Sequence, residues 1–144
     1  MQIDFHYYCI FRLAVLAGFS RRDAETIAYA SQYVDDSTES EPVEPFPDQR
    51  FDAVRTARHN LEAYNWNVQK KVYMPFHFLP GRIRRENPEG FSYMTTLRTD
   101  DLARMIIKDV LDETNRKFMM IRLGVALHAV ADTFSHFGFS GRLH

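Results

Sequence analysis

The sequence has only one cysteine, Cys9, so no disulfide can form within the chain and a site built from several thiolates is excluded. It also has little net charge, −1 at pH 7 with the histidines neutral. This balance creates no global field that would favour nucleic acid or an anionic membrane as a partner. With 45% hydrophobic and 26% charged residues in 144, the composition is typical of a soluble globular domain.

A basic leader and a long apolar run are also missing from the first residues. The segment 1–4 carries no basic residue, and Arg12 interrupts the apolar stretch between Cys9 and Leu16. We therefore expect neither a signal peptide nor a transmembrane segment, and we expect a cytoplasmic location. We interpret residues 1–144 as a single helical domain, which can also be the N-terminal part of a longer protein.

Apolar periodicity and capping residues predict an all-α fold, a compact domain of about five helices. The first helix is expected over about Phe5–Ala17, with Gly18 at its C-terminal end. Ser20 and the acid three residues later form a capping box, which opens a second helix running to about Val34.

The middle of the chain is predicted as a loop, a helix and a second loop. Ser37–Gln49 contains three prolines among acidic residues, and Arg82–Gly90 is a basic loop. Between them, the periodicity of Phe51–Tyr73 is mainly helical. Thr99 is expected to cap a fourth main helix, and Asn115 or a neighbouring residue is expected to break it before the last helix.

The last helix, predicted over Ile121–Phe137, carries the most informative pattern in the chain. His128, Asp132 and His136 recur at steps of four, so each is turned only about 40° from the one before. Apolar residues on the same side, including Ile121 and Val125, predict that this stripe faces the interior. A buried carboxylate between two imidazoles needs a partner, and a metal ion provides one. The alternative is a metal-free network of His–Asp hydrogen bonds.

Other candidate metal ligands lie upstream, and each has a simpler alternative. Asp4 and His6 point the same way if that stretch is extended, or else are a helix cap and a surface histidine. Asp35 and Asp36 end the second helix, where a solvated acidic end is equally expected. The last two candidates, each with a surface or packing alternative, are His59 and His77. Such a supply of nitrogen and oxygen ligands favours zinc or another first-row divalent metal, as one ion or up to three.

Several catalytic motifs are absent. No histidine is followed by aspartate, which argues against HD phosphohydrolases, and none has glutamate three residues before it, as in ferritin-like di-iron proteins. HExxH, P-loop and GxSxG motifs are also missing.

The His-x3-Asp pair, the histidine after it and the upstream ligands resemble the zinc-dependent phospholipase C and S1/P1 nuclease group. The stretches 2–6, 31–36, 75–80 and 126–141 also look like an uncharacterised bacterial family related to that fold. The resemblance implies an all-helical fold and a trinuclear zinc site in which Asp132 bridges metals. It further implies His128 and His136 as ligands on that helix, with the upstream ligands supplied by His6, by Asp35 or Asp36, and by His59.

Our functional hypothesis is a zinc-dependent hydrolase of small-molecule or lipid phosphoesters, with Asp132 and Asp36 as catalytic carboxylates. Basic residues that can neutralise substrate phosphate, or equally form a solvated surface, are Lys70, Lys71, Arg82, Arg84 and Arg85. The alternative is a non-catalytic helical interaction module, with or without a structural ion. No pattern indicates nucleic-acid binding or an oligomeric state.

Overall fold

The computed structural model describes residues 3–58, 62, 64–87, 90–95 and 101–137, and for 81–87 and 90–95 it describes the backbone. The described chain is mostly helical, with two small β-hairpins. The prediction of a largely helical domain is therefore confirmed. The prediction of an exclusively helical one is wrong, because strands form in two stretches that we expected to be loops.

The N-terminal helix begins as a π-helical segment, Asp4–Cys9, and continues as α1, Ile10–Leu16. Gly18 follows with φ +93°, the left-handed conformation that glycine adopts without a steric penalty. Ser20 then caps α2, Arg21–Asp36, by accepting a hydrogen bond from the backbone N–H of Asp23. The predicted cap, turn and second helix are therefore confirmed, whereas the extended stretch considered for residues 4–6 is helical instead.

The closest helix contact is between α2 and α6, which spans Arg116–Ser135 and is capped by the Asn115 side chain. Gly124 makes the approach possible. A Cβ atom at this position would lie 2.3 Å from the Ile27 carbonyl oxygen and 2.7 Å from the Ala30 Cβ. The missing side chain therefore allows the two backbones to pack together, and α1 packs on α2 in the same core.

The buried face of α6 differs from the predicted one. His128 and Asp132 are fully buried, as expected, but Ile121 and Val125 are 40% and 39% exposed. The residues that face the core are instead Met120, Leu123, Gly124, Ala126, Ala131 and Thr133. The apolar side chains we assigned to the stripe lie at its edge, because α2 approaches α6 from the side of Gly124.

The middle of the chain departs most from its predicted structure. Residues 43–51 form an antiparallel hairpin of β1, Val43–Phe46, and β2, Gln49–Phe51. The stretch 52–58 is irregular, so the helix predicted over Phe51–Tyr73 is wrong in its first part. Helical structure begins with α3, Trp66–Val68, and continues through a π-helical segment, Gln69–Tyr73.

The chain leaves this helical stretch through α4, Met74–His77, and enters a second antiparallel hairpin. Its strands are β3, Pro80–Asn87, and β4, Gly90–Thr95, where we had predicted a basic loop. The next helix, α5, spans Asp101–Leu111 and packs on α6, so the predicted fourth main helix is present. Its proposed cap, Thr99, lies outside the described residues.

One helix of the described chain, α6, is long and apolar enough by length and composition to cross a membrane. This is weak evidence for a span, because the core helix of a soluble protein passes the same test. In this fold α6 is the core helix, and it carries the buried His128 and Asp132.

Candidate metal centre

Five of the predicted ligands converge in the interior between the N-terminal helix, α2, α4 and α6. Four of them, His6, His77, His128 and Asp132, have at most 1% of their surface exposed. The fifth, Asp35, has 25% of its side chain exposed. Their ligand atoms form two groups that can hold a cation, one of His77, His128 and Asp132, the other of His6, Asp35 and His128.

The five ligands come from helical elements, and the position of each ligand along its helix sets the direction of its side chain. His128 and Asp132 are one helical turn apart on α6, and Asp35 lies in the last turn of α2. The two remaining histidines are associated with π-helical segments: His6 lies within the first segment, and His77 follows the second. Single turns of π-helix are rare and often occur at functional sites, because the wider turn re-aims a side chain.

The tautomers of His77 and His128 are set by backbone carbonyls. His77 Nε2 lies 3.1 Å from the Thr56 carbonyl oxygen, and His128 Nδ1 lies 2.9 Å from that of Ser31. A carbonyl oxygen only accepts, so both nitrogens carry the proton and donate. In the neutral rings, His77 Nδ1 and His128 Nε2 are therefore lone pairs, and they lie 3.0 Å apart.

The same two lone pairs face a carboxylate oxygen. Asp132 Oδ2 lies 3.0 Å from His77 Nδ1 and 3.3 Å from His128 Nε2. Three electron-pair donors thus form a triangle with edges of 3.0–3.3 Å and have no hydrogen between them when both imidazoles are neutral. Ligand atoms about 2.0 Å from a tetrahedral zinc are about 3.3 Å apart, so the triangle fits one face of such a site.

The two oxygens of each carboxylate face different histidines. Asp132 Oδ1 lies 3.4 Å from His6 Nε2 and 3.7 Å from His136 Nε2, on the side away from His77. Asp35 Oδ1 lies 3.7 Å from His77 Nδ1 and 3.8 Å from His128 Nε2, while its Oδ2 lies 3.7 Å from His6 Nε2. Each carboxylate therefore spans two sets of imidazoles, an arrangement that suits a carboxylate shared by two cations.

His6 is the clearest sign of a missing partner. Both ring nitrogens are buried and form no hydrogen bond with any part of the chain that the structure describes. Its ring is stacked on His128, with the centroids 3.9 Å apart. A buried donor or acceptor left unsatisfied costs about 1–3 kcal/mol, so a ligand at His6 would remove a real penalty.

The surroundings of the centre favour an ionised Asp132 and neutral His128 and His136. Burial acts to raise the pKa of Asp132, but the contacts with His128, His6 and His77 outweigh it and hold that pKa well below its usual range. Burial lowers the pKa of His128, although Asp132 opposes this, and burial also lowers the pKa of His136. An ionised carboxylate with neutral imidazoles is the protonation state that binds a divalent metal.

Two predicted ligands lie outside the converging set. Asp36 is exposed, and one of its oxygens accepts a hydrogen bond from Gln32 one turn earlier. Asp4 is also exposed, and its carboxylate accepts from the backbone N–H of Phe5. Asp36 points away because an α-helix turns each residue by about 100° from its neighbour. Asp4 points away because it lies two residues, roughly half a turn, before His6 in the first π-helical segment.

Of the remaining predicted residues, His59 and the basic residues take no part in the described centre, whereas His136 lies at its edge, with Nε2 3.7 Å from Asp132 Oδ1. His59 lies outside the described residues, as do the side chains of Arg82, Arg84 and Arg85, whose backbone forms part of β3. Lys70 and Lys71 are exposed on the second π-helical segment. His136 ends α6 with 23% of its side chain exposed and its ring 4.6 Å from that of Phe78.

Sequence reasoning missed the groups that surround the ligands. The carbonyls of Ser31 and Thr56 orient two histidines, yet a carbonyl is present at every residue and has no sequence signal. Tyr73 stacks on His77 with the ring centroids 4.3 Å apart, and the guanidinium carbon of Arg58 lies 4.6 Å from the centroid of the Tyr73 ring. The spacing of Tyr73 four residues before His77 was the one signal available for this contact.

The fold and the centre together define a mostly helical protein with a buried histidine–aspartate cluster suited to a divalent cation. The chain belongs to DUF6765, a family of unknown function, whose family model matches residues 1–144. No curated protein and no solved structure matches the chain.

Proposed function

We propose that this protein is a divalent-metal-dependent hydrolase of phosphoester bonds. The observation that carries the proposal is the triangle of His77 Nδ1, His128 Nε2 and Asp132 Oδ2. Backbone carbonyls hold both imidazoles in the tautomers that turn their lone pairs to this one point. Metal-ligating histidines are oriented in this way by partners on their other nitrogen.

The contacts of the centre suggest two cation positions. The first would be held by His77, His128 and Asp132 Oδ2, with Asp35 Oδ1 nearby. The second would be held by His6 and Asp35 beside His128, with Asp132 Oδ1 lying between His6 and His136. Nitrogen and oxygen ligands at tetrahedral spacing favour zinc. The resemblance of the His-x3-Asp pair to zinc-dependent phospholipase C and the S1/P1 nucleases supports this choice.

The side of the centre that substrate reaches can be inferred from which ligands are exposed to solvent. A divalent ion at this centre supplies Lewis-acid activation of water and of a phosphoryl oxygen near neutral pH. Asp35 and His136 are the ligands of the centre with exposed surface, 25% and 23% of their side chains, so substrate reaches it from their side. Asp132 would be shared by the two cations, and it stays ionised because its pKa is held low. Asp35 therefore takes the role that we had assigned to Asp36.

The second candidate function is a non-catalytic module whose ion holds the helices together. The observation that favours it is the complete burial of His6, His128 and Asp132, since structural metal sites are closed to solvent. A metal-free version also exists, in which one imidazole is protonated and bridges the other ring and Asp132. That version must overcome the burial that lowers the pKa of His128.

Metal content separates these possibilities first. Protein purified without chelator is expected to hold one to two equivalents of zinc or another first-row metal by inductively coupled plasma mass spectrometry. Folded protein with less than one equivalent would rule out the hydrolase, and with it the structural ion.

Activity separates the hydrolase from the structural module. The metal-loaded protein is expected to cleave a generic phosphodiester such as bis(p-nitrophenyl) phosphate, and a chelator should abolish cleavage. Asp35→Asn should lose most of the activity, while Asp36→Asn, the same change at the adjacent exposed carboxylate, should keep it. Full metal occupancy without cleavage of phosphodiester or phosphomonoester would favour the structural module.

A further inference from the structure

Arg58 is not a ligand of the centre and contacts the ring of Tyr73, which stacks on the ligand His77. It follows the segment whose Thr56 carbonyl orients His77. Its guanidinium carbon lies 4.6 Å from the centroid of the Tyr73 ring, and that ring stacks on His77 with the centroids 4.3 Å apart. The ring of Tyr73 therefore connects the guanidinium of Arg58 to His77, a ligand of the metal centre.

The charge of Arg58 has no counterpart in the described chain. Its Nε is buried and makes no hydrogen bond there, and no carboxylate of the described residues lies within ion-pair distance of it. Arg55, three residues earlier, differs: it pairs with Glu62, and its Nε donates to the Ala57 carbonyl at 3.0 Å. The two arginines thus lie on one short segment. The charge of Arg55 is compensated by Glu62, whereas that of Arg58 is not compensated by any carboxylate of the described residues.

Tyr73 cannot supply the missing negative charge. A phenol ordinarily titrates at about pH 10, far above physiological pH. The phenol is therefore neutral at physiological pH and contributes a stacking surface. A guanidinium that lies over an aromatic ring and has its Nε unbonded is suited to bind an oxyanion in a bidentate manner.

We propose that Arg58, positioned by Tyr73, binds the non-bridging oxygens of the phosphoryl group of the substrate beside the metal centre. This inference rests on the proposed function. Two divalent cations with two carboxylates and neutral imidazoles leave the centre positively charged, so an anionic ligand is favoured there. The planar fork of the guanidinium then selects a tetrahedral oxyanion with paired oxygens over a halide.

The test uses inorganic phosphate as the probe, with equilibrium dialysis of radiolabelled phosphate against the zinc-loaded protein. Arg58→Gln should weaken phosphate binding by about tenfold to a hundredfold, the range expected for losing hydrogen bonds to a charged group. Arg58→Lys keeps the charge without the fork and should bind with intermediate affinity. The matched control is Arg50→Gln, which removes an exposed arginine of the first hairpin that pairs with Glu44 and Asp52. It should bind phosphate like the wild type.

Metal content and melting temperature are measured on every variant, so the two proposals fail separately. Wild-type protein without metal would overturn the proposed function. Metal-loaded wild-type protein that binds no phosphate, or Arg58→Gln that keeps its metal and binds phosphate as the wild type does, would overturn the role of Arg58 alone. If Arg58→Gln does not fold, Arg58→Lys decides, and wild-type affinity in that variant would overturn the inference.

Discussion

The pair of helices α2 and α6 and the segment between residues 37 and 95 contribute to the same centre in different ways. The helices are locked together at Gly124 and present Asp35, His128 and Asp132 from a buried interface. The segment consists largely of exposed hairpin and short helical turns, yet it supplies His77. Four of the five converging ligands therefore come from the helical core, and one, His77, comes from a segment attached to it.

Besides the contacts of His77 and the packing of α4 on α6, hydrogen bonds at the C-terminal end of α2 attach the segment to the core. The Ser37 carbonyl accepts from the backbone N–H groups of Thr56 and Ala57, at 3.0 and 2.9 Å. The Thr56 hydroxyl donates to the Val34 carbonyl at 2.8 Å, and the Ser37 hydroxyl donates to that of Val54 at 3.0 Å. Each such bond contributes about 1 kcal/mol, so a shared metal ion would strengthen the attachment considerably.

The largest effect is expected from disrupting the core itself. In Gly124→Ala the new Cβ would meet the Ile27 carbonyl oxygen at 2.3 Å, and backbone cannot move aside as a side chain can. We expect a loss of about 3 kcal/mol of unfolding free energy, measured by urea denaturation, and weaker metal binding as Ser31 moves from His128. Lys117→Ala, at an exposed position of the same helix, should change stability by less than about 0.5 kcal/mol. Equal stability of the two variants would mean that the helices do not need the close approach.

Removal of metal should affect the attached segment more than the core. With free metal at a hundred times its dissociation constant, binding stabilises the protein by about 2.7 kcal/mol, and a chelator should remove this. Hydrogen exchange followed by mass spectrometry should then rise most in 54–57 and 74–78. The middle of α6 should change least. Asp132→Asn lacks a ligand expected at both cation positions, so its hydrogen exchange should not change when chelator is added. In the wild type, an equal rise of exchange in the attached segment and in the helical core would contradict the prediction.

The helical core and the attached segment also differ in how well the sequence predicts their structure, and the core is predicted well. The cap at Ser20, the break between helices near Asn115, the left-handed Gly18 and the burial of His128 and Asp132 follow from local rules, and the structure confirms them. These rules work where a helix satisfies its own backbone and needs only an apolar face and a cap.

Prediction fails where long-range contacts decide the structure. The stretch 52–58 has helical periodicity but is irregular, because its backbone groups bond to the end of α2 instead. Asp36 could not be distinguished from Asp35 by sequence, since only the packing of α2 on α6 decides which carboxylate turns inward. Arg58 and the carbonyls of Ser31 and Thr56 become visible only once the segment is folded onto the core.

A smaller effect is expected from loosening the attachment at one point. Thr56→Val keeps the shape of the side chain and removes the hydrogen bond to the Val34 carbonyl. It should cost about 1 kcal/mol of unfolding free energy and weaken metal binding about tenfold, since the Thr56 carbonyl orients His77. Thr26→Val removes a comparable bond, from the Thr26 hydroxyl to the Arg22 carbonyl, far from the segment. Metal titration monitored by calorimetry should show the control unchanged, and equal affinities in both variants would mean that the attachment does not orient the ligand.

The smallest effect is expected from mild acid, which should lower the stability of the metal-free protein slightly by protonating His128 and His136 in the unfolded chain. Burial lowers the pKa values of His128 and His136, so the unfolded chain binds their protons more readily than the folded one, and stability falls as the pH falls. The loss begins near the ordinary pKa of about 6.5, and at pH 6.5 it is at most about 0.4 kcal/mol for each histidine. Urea denaturation with chelator at pH 8 and pH 6.5 measures it. His136→Asn should remove its own share of this loss and leave that of His128, because the two titrate on opposite sides of Asp132. A stability that rises toward pH 6.5 would show instead that a protonated imidazole bridges the metal-free centre.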